Sequence, residues 1–175
     1  MMIGVQSTIL IPVLTSEPIV GQWRRQYDDS ALRGIPPHIT LLFPFVHPQS
    51  IDERVLNTLS LLFQSIKPFQ FTLEKIRTFP NVIYLMPSPR KPFIKLTTLI
   101  VEKYPDAPPY EGKYPAINPH LTLAQLSDKD DFSGILNTIK KELPPKLPIK
   151  TIAKEAWLME KDKNNYWRIK YKFPF

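Results

Sequence analysis

Apolar residues recur along the chain with two periods, and the changes of period predict its elements. Residues 7–14 (STILIPVL) are a β-branched apolar run and read as a first strand. Ser16 is a plausible helix cap, with Glu17 and Pro18 in the first turn of a helix expected to reach about Tyr27. Residues 28–37 carry Gly34 and two prolines and read as a loop, and 38–46 (HITLLFPFV) as a short strand stopped by Pro44 and Pro48. Val55, Leu56, Leu59, Leu62, Phe63 and Ile66 then recur at three- and four-residue spacing, an amphipathic helix capped by Ser50 or Asp52. Phe69, Phe71 and Leu73 alternate with polar neighbours as in a half-buried strand, and residues 81–86 form the next one. A third helix is expected over 93–103, a proline- and tyrosine-rich loop over 104–119, a strand over 120–126 and a fourth helix over 132–143, capped within 128–131. The tail reads as two strands, 149–159 and 166–173, around a polar turn at 162–165.

Each half of the chain therefore runs strand, helix, loop, strand, helix, strand. That order predicts an α+β fold with antiparallel sheets, built as two similar lobes with a histidine strand in each. Twenty prolines against five glycines agree with strands bounded by stiff connections rather than long helices.

Composition narrows this picture only modestly. A length of 175 residues suits one domain of two lobes, and 43% hydrophobic with 22% charged residues is ordinary for a globular protein. With no cysteine, disulfides and thiolate metal sites are excluded. No apolar run is long enough to span a bilayer, and the apolar stretch over residues 1–14 has no basic leader, so a cytoplasmic location without membrane attachment is expected. A net charge of +7 points toward a phosphorylated or polyanionic partner. No obligate protein partner is implied, and no glycine-rich nucleotide loop or zinc-finger spacing occurs.

The chemistry lies in a phrase that the chain repeats. Pro37-His38-Ile39-Thr40-Leu41 returns as Pro119-His120-Leu121-Thr122-Leu123, and these two hold two of only three histidines. In a strand, residues two apart share a face, so each phrase presents an imidazole beside a hydroxyl while Ile39 or Leu121 enters the core. Two such pairs facing one another would supply a base and an acid near neutrality, with hydroxyls to hold phosphoryl oxygens. His47 lacks a threonine partner and reads as a loop residue, so neither a metal nor another cofactor is called for. Phe43, Tyr84, Tyr110, Tyr114 and Trp157 offer aromatic surfaces for a base, with Tyr110 and Tyr114 favoured because their loop leads into the second phrase. Trp23 and Trp167 read as structural.

The paired phrases resemble the two signatures of the 2H phosphoesterase superfamily, above all its 2′-5′ RNA ligase-like and cyclic phosphodiesterase branches. The resemblance follows the element order over most of the chain and implies a bilobal, pseudo-two-fold duplicated α+β fold, with flanking helices and the site in a central groove between the lobes. It implies metal-independent cleavage of 2′,3′-cyclic phosphates, on RNA ends or small nucleotides, or of related 2′-5′ linkages. His38 and His120 would be catalytic, and Thr40 and Thr122 would bind phosphate. One departure is Gln125, where such members often carry an arginine; glutamine donates a hydrogen bond but cannot clamp phosphate bidentately. Arg33, just ahead of the first phrase, or a lysine could supply that charge. The alternative is a nucleotide- or RNA-binding protein that uses the same groove without turnover.

Overall fold

A computed structural model describes residues 6–175; the part of the amino-terminal expectation that falls on residues 1–5 lies outside the described residues. Among the described residues, eight strands form two four-stranded antiparallel sheets, and five α-helices accompany them. The first sheet has the order β2-β1-β7-β8, from His38–Leu42, Ser7–Pro12, Glu155–Lys161 and Trp167–Pro174. The second has the order β5-β4-β3-β6, from Leu121–Gln125, Val82–Ser88, Phe69–Phe79 and Ile149–Ala153. The two orders correspond strand for strand, and each histidine phrase lies on or at the start of an outermost strand. The sheets do not divide the chain at its midpoint, because the first is built from both ends of the sequence.

The helices tie the sheets together. α1 (Glu17–Tyr27) leaves the first sheet and packs on β5 of the second, while α4 (Lys91–Lys103) leaves the second and packs on β2 of the first. α3 (Glu53–Gln64) covers β8, where Phe63 stacks on Phe173 and Phe175. α5 (Phe132–Glu142) adds Ile139 to the core. Ile9, Ile11, Ile39, Leu121 and Leu85 enter a common core with the helices. Leu10, on the opposite face of β1, joins Ile35, Trp157, Met159 and Trp167 in a second cluster beneath Phe43. Opposite faces of one strand thus close the core on one side and pave the groove on the other.

Several local expectations are corrected. The single strand expected over 149–159 is two strands, β6 and β7, in different sheets, with the chain crossing at Lys154. β3 extends to Phe79 because its register shifts at Glu74, which breaks the simple alternation after Leu73. β2 ends at Leu42 rather than running to Val46. Within the expected loop, Asp28 accepts from Ser30 N–H and starts a four-residue helix, α2 (Asp29–Leu32). Ser16 does not cap α1, because its hydroxyl donates to Val13 O at 2.7 Å. Asp52 and Asp131 do cap α3 and α5.

Candidate active site

The two histidine strands lie side by side at the centre of the molecule. Each is built the same way. Leu10 pairs with Thr40 and Ile9 with Leu42, so Leu41 is unpartnered; Tyr84 pairs with Thr122 and Ile83 with Ala124, leaving out Leu123. A β-bulge therefore sits one residue past each threonine. Strict alternation would turn Phe43 and Gln125 away from the histidines. The extra residue reverses the phase, so Phe43 joins the Leu10 cluster and Gln125 pairs with Val82, itself paired with Phe79. The bulge at Leu41 frees a buried carbonyl, and Thr97 of α4 donates to it at 2.8 Å.

Both imidazoles are pinned alike. His38 Nδ1 lies 2.8 Å from Pro36 O, and His120 Nδ1 lies 2.7 Å from Asn118 O. A carbonyl only accepts, so each neutral ring carries its hydrogen on Nδ1 and leaves a lone pair on Nε2. Both rings are half-buried. Burial pushes His38 down to about 4, assisted by the Arg24 guanidinium and His120 and opposed by the Pro36 hydrogen bond and Asp28. His120 is also lowered by burial, against the Asn118 hydrogen bond, and no cation contributes. Thr40 and Thr122 lie two residues beyond their histidines, half-buried on the same faces.

Around this shared frame the surroundings differ. His120 stands edge-on to Phe79 and Tyr84, with centroids 5.2 and 5.4 Å away, and those two rings stack at 4.3 Å. Next to Thr40 is a strap from the α4–β5 connection, where Tyr110, Glu111 and Gly112 have φ of 51°, 56° and 73°. Tyr110 N–H donates to Phe43 O at 2.6 Å, which ties the strap to the end of β2. Burial and Tyr114 raise the Tyr110 phenol, against a hydrogen bond with the Thr40 side chain. Beside the strap a cleft of about 630 Å³ is lined by Phe45, His47, Tyr104, Pro108 and Glu111, with neither His38 nor His120 among its walls.

Tyr114 is exposed and meets Tyr110 edge-on at 5.5 Å. Tyr84 and Trp157 are buried; Tyr84 supports His120, and Trp157 lies under Lys172 in the groove-side cluster. Trp167 shares that cluster, edge-on to Phe43, so it is groove-side as well as structural. Arg33 is engaged by Asp29 at 2.6 Å. The arginine whose charge reaches His38 is Arg24, which the sequence reading missed. Its signal was a charged residue on the buried face of α1, with an aspartate four residues on. Phe79 was missed because the bulge at Glu74 breaks its alternation with Leu73.

This architecture recurs in solved structures. Escherichia coli LigT complexed with 3′-AMP superposes with a TM-score of 0.59 at 15% identity, covering 98% of both chains. The same protein complexed with NADP+ gives 0.60 at 16% identity, with the same coverage. At the sequence level, a Bacillus pumilus protein named "Putative phosphoesterase" is 31% identical over 137 residues, covering 75% of this chain and 76% of its own. A Bacillus licheniformis protein of similar name is 30% identical over 136 residues, covering 75% and 77%. The family model of the 2′-5′ RNA ligase superfamily matches residues 12–165, a span that contains both histidine strands, the whole of the second sheet and half of the first. By that match the chain belongs to the 2′-5′ RNA ligase superfamily of 2H phosphoesterases.

Proposed function

We propose that the groove hydrolyses a 2′,3′-cyclic phosphate, on an RNA end or a small nucleotide, or a related 2′-5′ phosphodiester, by two-histidine acid–base catalysis without a metal. The observation that carries this is the matched pinning of His38 and His120 by the carbonyl two residues earlier, which aims two Nε2 atoms as proton carriers. One neutral imidazole takes a proton from water as the water oxygen bonds to phosphorus. The opposite ring, protonated, gives its proton to the departing ribose oxygen as the P–O bond breaks, so charge never accumulates on either oxygen. Thr40 and Thr122 donate to the non-bridging oxygens, where negative charge grows. Tyr110 and Tyr114 on one side and Gln125 on the other are positioned to meet the nucleoside. LigT complexed with 3′-AMP, NADP+ and ATP supports a small-nucleotide ligand in this fold. A cytoplasmic enzyme acting alone fits this reading.

The test is hydrolysis of a panel of 2′,3′-cyclic nucleotides, cyclic-phosphate RNA ends and 2′-5′ dinucleotides, with chelator present. His38→Ala and His120→Ala should each reduce kcat by about 10²–10⁴, the usual share of a positioned acid or base, while the fold is retained. Retained turnover in both variants would overturn the mechanism, and saturable binding without turnover in the wild type would make the groove a binding site only. Loss of activity to chelator would make the reaction metal-dependent and overturn the metal-free mechanism.

A further inference from the structure

Behind the first half-site lies a charge network that the proton transfers above do not use. Arg24 is 2% exposed and Asp28 is 2% exposed. Arg24 Nη2 lies 2.9 Å from Asp28 Oδ2, and its Nη1 and Nη2 both donate to Ile35 O at 3.2 Å. Nη2 also reaches Ser30 Oγ, and Asp28 Oδ1 accepts from Ser30 N–H and Oγ–H, which closes the network. Three consecutive carbonyls are then taken by three different groups: Ile35 O by Arg24, Pro36 O by His38 and Pro37 O by Val13 N–H. With two prolines between Ile35 and His38, little backbone freedom remains to uncouple the guanidinium from the imidazole.

A buried ion pair is a poor source of stability, since desolvation offsets its attraction, and apolar substitutes of like volume are often no worse. The place of this one, beside a histidine strand, points to another role. Among the described residues the second half-site has no such pair: there Arg90 Nη2 donates to the neutral Asn118 side chain at 2.8 Å and meets no carboxylate.

We propose that Arg24 is a positioning residue for the first half-site: held between Asp28 and the Ile35 carbonyl, it fixes the segment that orients His38 and makes His38 the proton acceptor and His120 the donor. This rests on the function proposed above. The charged and titratable groups facing His38 are Arg24 and Asp28 from the end of α1 and His120 from the opposite strand. A guanidinium behind the ring disfavours the imidazolium, so His38 rests neutral with Nε2 free. His120, whose segment meets Arg90 only through the Asn118 amide side chain, holds its proton more readily. Water then loses a proton to His38 Nε2 as its oxygen bonds to phosphorus, and His120 Nε2–H protonates the leaving ribose oxygen as the P–O bond opens.

The experiment is an NMR titration of both rings in the full chain, with nitrogen shifts reporting the tautomer. It uses wild type, Arg24→Lys and the pair Arg24→Gln with Asp28→Asn, which keeps an acceptor for Ser30. kcat and KM for a 2′,3′-cyclic nucleotide are measured on the same samples. In the wild type, His38 should titrate below His120 with its hydrogen on Nδ1. In the double variant His38 should rise but stay below 6.5, because burial still lowers it, and should lose its single tautomer while His120 stays in place; kcat should fall about 10- to 100-fold with KM little changed. Arg24→Lys keeps the charge without the fork, so it should keep the low titration yet lose part of kcat. If His38 titrates at or above His120 in the wild type, or both rings move together in a folded variant, or neither moves, the proposal is overturned. If the double variant does not fold, the wild-type and Arg24→Lys titrations decide. A chain that hydrolyses nothing defeats the proposed function, whereas the titrations still judge Arg24.

Discussion

The segment before His38 is held by a buried arginine–aspartate pair, whereas the one before His120 is tied through the amide side chain of Asn118. The strands themselves match: the same carbonyl pins each imidazole, and the same bulge follows each threonine. Their neighbours do not. Thr40 has the Tyr110 strap and Phe43 near it, while Thr122 pairs with Tyr84 and is followed on its face by Gln125. Backbone geometry thus repeats where the proposed mechanism calls for two equivalent proton carriers. Side-chain surroundings diverge where that mechanism calls for telling acid from base and one end of a ligand from the other.

The hydroxyls test whether the two halves act alike. Thr40→Ala and Thr122→Ala should each lower kcat by about 10²–10³, the usual loss for one donor to a developing oxyanion. Matched losses would mean that the shared backbone dominates. A smaller loss for Thr40→Ala would mean that the Tyr110 hydroxyl takes over its task, and Thr40→Ala with Tyr110→Phe would then lose the remainder. Steady-state kinetics on one cyclic nucleotide decides between these outcomes.

Acid should separate the halves next. His38 is held near 4 in the folded protein against about 6.5 unfolded, so between those values the unfolded chain binds the extra proton. Stability from this group is therefore full above about 6.5 and is lost progressively as pH falls toward 4. Each tenfold difference in proton affinity is worth about 1.4 kcal/mol, so denaturant midpoints should fall clearly over this range. His38→Gln should flatten that fall more than His120→Gln does. Equal flattening would deny that the Arg24 network sets the first site apart.

How much of this was legible in the sequence depends on the kind of cause. The histidines, the threonines, the helices after Asp52 and Asp131 and the antiparallel α+β class all rest on periodicity or local capping, which a sequence displays directly. The bulges at Leu41 and Leu123 do not, because an unpartnered residue is defined by its neighbouring strand. They alone bring Phe43 and Gln125 to the histidine faces. The break at Lys154 was hidden because no turn residue marks it: β6 is buried at its two ends, Ile149 and Ala153, and β7 follows with four consecutive buried residues from Ala156 to Met159. Arg24 was hidden for the opposite reason: one charge on an amphipathic helix reads as solvated until Asp28 and Ile35 O are seen to surround it.

The first bulge has a support that can be removed. Thr97→Val keeps the shape but leaves the buried Leu41 carbonyl without its donor, at a cost of about 1–3 kcal/mol. Thermal or denaturant unfolding would register that loss. With the bulge loosened, Phe43 should lose its fixed place against Trp167, so KM should rise for nucleosides that contact that end. A stability loss with KM unchanged would show that the bulge serves folding alone.

The smallest effect expected lies in the strap, which has no counterpart beside Thr122. Glu111 has φ of 56°, a conformation that costs a non-glycine residue about 1–2 kcal/mol, and its side chain is exposed and pairs only with Lys113. Glycine removes that cost but gives back about 0.5–1 kcal/mol of chain entropy, so Glu111→Gly should stabilise by about 0.5–1 kcal/mol, near 1–4 °C in Tm. Asn81, with φ of 61° in the β3–β4 turn, is the control, because asparagine tolerates this region and Asn81→Gly should change little. The informative outcome is kinetic. If the left-handed turn holds Tyr110 against Thr40, a more flexible residue next to it should lower kcat slightly even as Tm rises. A rise in Tm with kcat unchanged would leave the strap as a connector and return the asymmetry between the half-sites to Arg24 alone.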